Sequence, residues 1–249
     1  MDIQICKHYG ELSAKAAELV GEQIKQKTDS VLGLATGGTP EGMYAALVDQ
    51  YKNKQLSFRE IKTFNLDEYI GLPADHPLSY RVYMDEHLFN NVDISEKNVH
   101  LPDGNATDLA AECDRYEERL RHAGGIDLQV LGLGHNGHIG FNEPGTAFES
   151  STHIVDLDEK TREANARYFE KKSAVPRQAI TMGIQTILSA RKVLVLVSGT
   201  DKAEAVRDMI YREMTTSFPA TVLQKHPAVT VIADEEAATH LQQEEQTPN

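Results

Sequence analysis

The stretch that decides the fold of this chain is Gly132–Glu143, which reads Gly-Leu-Gly-His-Asn-Gly-His-Ile-Gly-Phe-Asn-Glu. It follows the apolar run Ile126–Leu131, which is typical of a buried strand. Four glycines within nine residues exclude a helix or a central strand, because glycine weakens both and supplies backbone angles that other residues avoid. The stretch is therefore predicted to be a tightly folded loop at the carboxyl end of a strand, where open α/β sheets bind their ligands.

This glycine loop, as we call Gly132–Glu143, carries three side chains that can move protons or bind metal: His135, His138 and Glu143. Titratable groups gathered in a loop at the end of a strand favour a functional site. The alternative is a glycine-rich connection whose polar groups only cap backbone amides. A metal site would use both histidines with Glu143 or His153. The chain lacks a helical His-Glu-x-x-His pattern and a cysteine pair, so the sequence favours a site without metal.

The composition is that of a soluble globular protein. The chain has 249 residues, 40% of them hydrophobic, and no apolar run approaches the roughly 20 residues that span a bilayer. α/β sheets often reach this length as one domain, and no Pro/Gly/Ser-rich linker interrupts the sequence, so a single domain over residues 1–249 is predicted. The formal net charge of −13 disfavours nucleic-acid binding, which needs clustered Lys and Arg. An anionic substrate would need a local positive pocket.

The compartment expected from the sequence is the cytoplasm. The only cysteines, Cys6 and Cys113, have no metal or redox spacing and are expected to be reduced. The start of the chain lacks the basic and apolar regions of a signal peptide.

Strand-like runs alternate with amphipathic runs along the whole chain, which predicts an α/β fold with a mostly parallel sheet and helices on both faces. The predicted strands are Ile3–Cys6, Val31–Ala35, Ile61–Asn65, Ile126–Leu131, Thr152–Leu157, Ala179–Met182, Lys192–Val197 and Val229–Ala233. The predicted helices are Glu11–Lys25, Pro40–Tyr51, Tyr80–Phe89, Ala106–His122, Arg162–Phe169, Ile184–Ala190 and Asp201–Glu213.

Two strand-to-helix junctions are candidate anion sites. In the first, Gly37 and Gly38 leave backbone amides uncovered, while Thr39 is expected to cap the helix and Pro40 to open it. The alternative is an ordinary turn. At the second junction Lys202 is predicted in the first helical turn, where the helix dipole disfavours a cation unless an anion is bound.

Lys202 follows Asp201, which with Glu204 has the spacing of a capping box. The alternative for Lys202 is a solvated surface lysine.

A third candidate segment is Phe64–Tyr69, which places Asp67 and Glu68 just after a strand. Adjacent side chains diverge, so the two carboxylates are not expected to share a proton. One could face the cleft while the other makes structural bonds. The alternative for Asp67 is a turn or capping residue.

Four segments together resemble glucosamine-6-phosphate deaminase, and they occur in that family's order: Leu34–Pro40, Phe64–Tyr69, Gly134–Pro144 and Thr161–Arg167. The related 6-phosphogluconolactonases share the fold and a similar glycine loop, but usually lack both the Asn-x-Asp-Glu-Tyr and the Gly-His-Ile-x-Phe-Asn-Glu-Pro pattern. The resemblance implies a modified Rossmann-like fold. It also implies conversion of glucosamine 6-phosphate and water to fructose 6-phosphate and ammonia, without metal or organic cofactor.

The resemblance also implies roles for individual residues. His138 would shuttle the proton in opening of the sugar ring, held by Asn136 and Glu143. Asp67 would move a proton from C2 to C1. The phosphate would bind to Gly37, Gly38, Thr39, Arg167 and Lys202, and the segment of Arg167 would belong to a mobile lid.

The sequence departs from the family pattern in two places. Many members carry Asp where this chain has Asn136, which orients His138 without adding charge. Hexameric, regulated members have a basic pair where this chain has His153 and Val155, together with a longer C-terminus. We therefore expect a monomer or small homo-oligomer without regulation by N-acetylglucosamine 6-phosphate.

Two alternatives to a deaminase follow from the same residues. One is hydrolysis of a sugar-phosphate lactone. The other is a non-catalytic sugar-phosphate sensor, which normally carries a DNA-binding helix pair. The first predicted strand lies at the start of this chain, and no room for such a pair is expected.

Overall fold

The structure, a computed structural model, describes residues 1–165, 169 and 174–241. Its main sheet has seven strands in the order β1-β10-β9-β6-β2-β3-β5, and every neighbouring pair is parallel. The strands of this sheet are β1 (Asp2–Cys6), β2 (Val31–Leu34), β3 (Lys62–Asn65), β5 (Val99–His100), β6 (Leu128–Gly132), β9 (Val193–Val197) and β10 (Val229–Asp234). The predicted parallel α/β sheet is confirmed.

Helices cover both faces of this sheet, as predicted. The α-helices are α1 (Tyr9–Gln26), α2 (Gly38–Lys52), α3 (Tyr80–His87), α4 (Leu109–His122), α5 (Glu159–Asn165), α6 (Ile184–Leu188) and α7 (Ala203–Tyr211). Alternate residues of β9 pack into different cores: Val195 joins α4, α6 and α7 on one face, and Leu194 joins α1, α2 and α3 on the other. Burial on both faces explains why the central strands are continuous apolar runs.

A second, smaller sheet was not predicted. It is antiparallel and has the order β4-β8-β7, formed by β4 (Asp67–Tyr69), β8 (Gln178–Thr181) and β7 (His153–Asp156). The predictions placed β7 and β8 as strands but not β4 or β5. This sheet matters for the site because β4 carries Asp67.

The strand order changes direction between β2 and β6. From β2 the sheet continues through β3 to β5, and from β6 it continues through β9 and β10 to β1. The loops after β2 and β6 therefore diverge at their carboxyl ends and leave a crevice, which is where doubly wound sheets bind ligands.

Several predicted helix ends are wrong by a few residues. α2 begins at Gly38 with Gly37 at the N-cap, so Thr39 is not the cap and Pro40 is not the first helical residue. The helix predicted from Ala106 begins at Leu109, where Asp108 accepts a hydrogen bond from the Ala111 N–H.

Two further ends differ in the same way. α3 ends at His87, and a separate 3₁₀ turn covers Phe89–Asn91. α5 spans Glu159–Asn165, and residues 166–168 of the predicted helix lie outside the described residues. In the described ranges, no helix combines the length and apolarity needed to cross a membrane.

Candidate active site

The glycine loop follows β6 at the crevice, as predicted, and two of its glycines are required by close contacts. A Cβ at Gly134 would lie 2.4 Å from the His138 ring, so only glycine lets the ring pack there. Gly137 has φ +79°, and a Cβ there would lie 2.4 Å from the Phe218 ring. The Ala220 N–H donates to the Gly137 carbonyl at 2.8 Å. The loop is therefore held between the His138 ring and a late segment of the chain.

His138 is oriented by Asn136. The Asn136 Oδ1 atom lies 2.8 Å from His138 Nδ1 and accepts the His138 backbone N–H at 3.2 Å. The Asn136 Nδ2 donates to Glu143 Oε2 at 2.8 Å. In a flipped amide, Nδ2 would face the His138 backbone N–H, and Oδ1 would face the Glu143 carboxylate. Neither pair can form a hydrogen bond, so these partners fix the orientation of the Asn136 amide. In neutral His138 the proton is then on Nδ1, which leaves Nε2 as an acceptor.

Glu143 completes this cluster. Its Oε2 lies 3.5 Å from His138 Nδ1, and its Oε1 accepts the Thr161 hydroxyl at 2.5 Å. Burial alone would raise the pKa of Glu143, but the hydrogen-bonding groups around it and the charge of protonated His138 lower it overall. The carboxylate therefore stays ionised and places a negative charge beside the His138 ring. Sequence reasoning did not assign Thr161 a role.

Asp67 lies on β4 in a different environment. It is only 6% exposed, and its carboxylate forms no hydrogen bond to the residues that the structure describes. Burial, and secondly the charge of Glu68, raises its pKa to about 8. Its Oδ2 lies 3.6 Å from the position that a Cβ would take at Gly140 in the glycine loop. The carboxylate therefore lies against the loop that carries His138.

The sequence did not decide which of the two adjacent carboxylates makes structural hydrogen bonds, and in the structure it is Glu68. Its carboxylate accepts the backbone N–H groups of Tyr69, Tyr80 and Arg81 at 2.8–3.0 Å. Two of these N–H groups belong to the start of α3, where a carboxylate is favoured. Burial raises the pKa of Glu68, and the three backbone bonds partly offset that shift. Of the two adjacent carboxylates, Asp67 therefore keeps its oxygens available for chemistry.

The first candidate anion site lies at the start of α2. A Cβ at Gly37 or Gly38 would meet nothing within 4 Å, so the backbone is open to a ligand there. Two tyrosines hold this turn. The Tyr83 hydroxyl donates to the Gly37 carbonyl at 2.7 Å, and the Tyr9 hydroxyl contacts the Gly38 carbonyl at 3.0 Å. Neither tyrosine had a sequence signal, because both are distant along the chain.

The second candidate anion site follows β9. Lys202 Nζ lies 3.1 Å from His135 Nδ1, and His135 Nε2 lies 2.6 Å from Asp201 Oδ2. The predicted capping box is wrong: Asp201 lies in the 3₁₀ turn Thr200–Lys202, and α7 has no side-chain cap. Partial burial would raise the pKa of Asp201, but His135 and then Lys202 lower it overall.

The two loop histidines have different partners. His135 contacts Asp201 and Lys202, whereas His138 contacts Asn136 and Glu143. His153 Nδ1 contacts the Ser151 carbonyl instead. Among the described residues, no group of three or more His, Cys, Asp and Glu side chains is arranged to hold a metal ion.

The topology brings most of the predicted site residues to one edge. β2, β6 and β9 are parallel neighbours, so Gly37, Gly38, Thr39, the glycine loop and Lys202 all follow strands that end there. Asp67 joins them through β4. Arg167 lies outside the described residues.

Comparisons with known proteins identify relatives of this chain over nearly its whole length. The sequence profile of the family described as glucosamine-6-phosphate isomerases/6-phosphogluconolactonase matches residues 7–232. The glucosamine-6-phosphate deaminase of Shouchella clausii is 56% identical over 239 residues, covering 96% of this chain and 97% of that protein. Glucosamine-6-phosphate deaminase 1 of Bacillus subtilis is 52% identical over 239 residues, covering 96% and 99%.

Solved structures extend the comparison to the fold. A monomeric glucosamine-6-phosphate deaminase matches with a TM-score of 0.95 at 52% identity, covering 96% of this chain and all of that one. A 6-phosphogluconolactonase from Trypanosoma cruzi matches with a TM-score of 0.77 at 21% identity, covering 96% of both chains. This likeness shows only that the two proteins have the same fold. The Rossmann-like fold and the resemblance found in the sequence are confirmed, and the chain belongs to the glucosamine-6-phosphate isomerase/6-phosphogluconolactonase family.

Proposed function

We propose that this protein is a glucosamine-6-phosphate deaminase, which converts glucosamine 6-phosphate and water to fructose 6-phosphate and ammonia. The observation that carries the proposal is the pairing of two acid–base groups at one crevice. Asp67 is buried with its pKa raised to about 8, and His138 is held with Nε2 as an acceptor. Relatives at 52–56% identity bear the name of this enzyme.

Ring opening is the step we assign to His138. Its Nε2 takes the proton of the C1 hydroxyl, the C1=O bond forms as the bond from C1 to the ring oxygen breaks, and the proton returns to that oxygen. An imidazole suits this exchange because it titrates near neutrality. Asn136 and Glu143 hold the ring, and the negative charge of Glu143 stabilises the imidazolium formed in passing.

Isomerisation is the step we assign to Asp67. The open aldehyde makes the C2 proton acidic, and the Asp67 carboxylate removes it to give the enolate of the amino aldehyde. Asp67 then returns the proton to C1, and a proton moves from the nitrogen to O1, which leaves a hydroxyl at C1 and an imine at C2. Water adds to that imine and ammonia leaves. A pKa of about 8 makes Asp67 a stronger base than an ordinary carboxylate, provided that it is ionised when substrate is bound.

Phosphate binding is the role we assign to Gly37, Gly38, Thr39, Lys202 and Arg167. The open backbone at the start of the 15-residue helix α2 supports the first three, because helix N-termini favour anions. The position of Lys202 on the loop after β9 supports a charge-assisted bond from the other side of the glycine loop. The assignment of Arg167 to phosphate binding rests on the family resemblance alone.

The remaining features of the proposal concern the state of the protein. We propose one domain over residues 1–249, supported by a family match that spans 7–232. A monomer is supported by the monomeric deaminase that shares 52% identity. We propose that the protein acts in the cytoplasm and needs neither metal nor organic cofactor.

Turnover of glucosamine 6-phosphate tests the function directly. We expect stoichiometric fructose 6-phosphate and ammonia, at a rate unchanged by EDTA. Hydrolysis of 6-phosphogluconolactone without ammonia release from the amino sugar would favour a lactonase, in which Asp67 has no carbon acid to attack. Binding without turnover would favour a sensor. Activity lost in EDTA and restored by a divalent ion would favour a metallohydrolase.

A further inference from the structure

The Glu143 carboxylate is held from two sides by donors on different elements. Asn136, in the glycine loop, donates to Oε2 at 2.8 Å, and Thr161, on α5, donates to Oε1 at 2.5 Å. The Thr161 residue is 9% exposed and the Glu143 side chain is 12% exposed. Water is therefore poorly placed to replace the Thr161 hydroxyl.

We propose that Thr161 is a positioning residue for ring opening, whose hydroxyl fixes the Glu143 carboxylate and thereby keeps the proton of neutral His138 on Nδ1. The inference rests on the proposed deaminase function. Thr161 acts through Glu143 and Asn136, and we assign it no contact with the substrate.

The physical reason is the freedom of a carboxylate that is anchored on one oxygen only. The terminal torsion of a glutamate is broad, so the group rotates unless both oxygens have partners. If Oε2 turns away from Asn136 Nδ2, the amide loses the partner that fixes its orientation. A flipped Asn136 would present Nδ2 to His138 Nδ1, which would favour a proton on Nε2 instead. Nε2 could then no longer accept the proton of the C1 hydroxyl.

The chain offers a matched control for this contact. Thr146 also donates its hydroxyl to Glu143, at 2.8 Å, but to the backbone carbonyl rather than to the carboxylate. Thr146→Val therefore removes a threonine–glutamate hydrogen bond of similar length near the site and leaves both carboxylate oxygens held. Thr161→Val keeps the shape of the side chain and removes only the donor.

The kinetic test uses substrate with deuterium at C2, whose bond to carbon breaks in isomerisation and not in ring opening. We expect Thr161→Val to lower kcat at least roughly tenfold, the effect of losing one hydrogen bond to a charged group. The isotope effect on kcat/KM should fall toward 1, because ring opening becomes the slower step. Thr161→Ser should restore both quantities, and Thr146→Val should leave both unchanged. Unchanged kcat in Thr161→Val, or a lower kcat with an equal or larger isotope effect, would overturn the proposal.

A spectroscopic test does not depend on turnover. In the ¹⁵N-labelled full-length protein, correlation spectra report which ring nitrogen carries the proton. His138 is identified among the 10 histidines by the loss of its signals in His138→Gln. With the His138 ring neutral, we expect an Nδ1–H tautomer in the wild type and in Thr146→Val, and a shift toward Nε2–H in Thr161→Val. An unchanged tautomer in Thr161→Val would refute the positioning role, even if the wild type proved to have another activity. Absence of deaminase turnover in the wild type would refute the proposed function separately.

Discussion

Asp67 and Glu143 are both carboxylates beside the glycine loop, and their surroundings are opposite. Glu143 has donors on both oxygens, Asn136 and Thr161, and its pKa is lowered despite burial. Asp67 has no hydrogen bond among the described residues, and its pKa is raised to about 8. Their different surroundings give the two carboxylates different roles. Glu143 stays charged and orients Asn136 and His138, whereas Asp67 exchanges a proton near neutral pH.

The largest effect that tests this comparison comes from Asp67→Asn. The amide keeps the shape of the side chain but cannot take the C2 proton, so kcat should fall by about 10²–10⁴-fold. Substrate binding, measured by calorimetry, should be retained. Normal exchange of the C2 hydrogen with solvent deuterium in this variant would contradict the assignment of Asp67 as the base.

The pH dependence of stability should differ in sign between the two carboxylates. Between the unfolded pKa of Asp67, 3.8, and its folded pKa of about 8, the unfolded chain has lost a proton that the folded protein keeps. Through Asp67, the free energy of unfolding therefore falls by about 1.4 kcal/mol for each unit by which the pH rises within this window. Urea unfolding should show Asp67→Asn gaining stability over the wild type as pH rises from about 4 to 8.

Glu143 should behave in the opposite way in the same experiment. Its folded pKa is lowered, so its contribution to stability is present above the unfolded pKa and is lost as pH falls through the folded value. Glu143→Gln should thus be less stable than the wild type near pH 7, and the gap should narrow in acid. Parallel curves for both variants would mean that the two carboxylates do not have opposite environments.

Substitution of the two cationic residues should have a smaller effect, and it should act on ligand binding rather than on proton transfer. Lys202→Ala should weaken phosphorylated ligands by roughly 10–150-fold, the range for one charge-assisted hydrogen bond, and should barely change binding of free glucosamine. Arg167→Ala should follow the same pattern. Dissociation constants that change equally for glucosamine and glucosamine 6-phosphate would show that these residues do not bind the phosphate.

Asn136→Asp should shift the pH profile more than the rate. A second carboxylate beside Glu143 and His138 would favour the imidazolium over the neutral ring, because it adds a negative charge at hydrogen-bond distance. The ring opening assigned to His138 starts from the neutral ring, so the acid limb of kcat should move to higher pH by about one unit. An unmoved acid limb would show that another group controls it.

The smallest expected effect concerns regulation. A second sugar-phosphate site needs cations, and β7 offers His153, bonded to the Ser151 carbonyl, and Val155. We expect coupling near zero rather than the usual ~1–3 kcal/mol, and hence hyperbolic saturation. Apart from competition at the active site, N-acetylglucosamine 6-phosphate should change nothing. A lowered half-saturating substrate concentration, or sigmoidal saturation without the effector, would reveal a site elsewhere.

The central sheet and the glycine loop were predictable because their signals are local. A strand buried on both faces must be apolar throughout, as in Val193–Val197, and a loop that folds against its own histidine must contain glycine. β4 was not predictable in this way. Asp67 and Glu68 are poor strand formers, and β4 exists because it pairs with β8, which is distant in sequence.

The errors at the site have the same origin. The spacing of Asp201 and Glu204 fits a capping box, but His135 from the glycine loop binds the Asp201 carboxylate instead. The contact of Thr161 with Glu143 joins α5 to the glycine loop, and no pattern within either segment indicates it. Local patterns therefore located the loops of the site, while the partners within it depend on the tertiary fold.

The attachment of Gly137 to Phe218 and Ala220 has a consequence for how the protein is made. These two residues belong to the segment before β10, close to the end of the described chain. During synthesis on the ribosome, the glycine loop emerges long before the residues that fasten it. A nascent chain can therefore hold most of its sheet and still lack a finished site. Catalytic competence arrives only when the segment that contains Phe218 and Ala220 folds onto that loop.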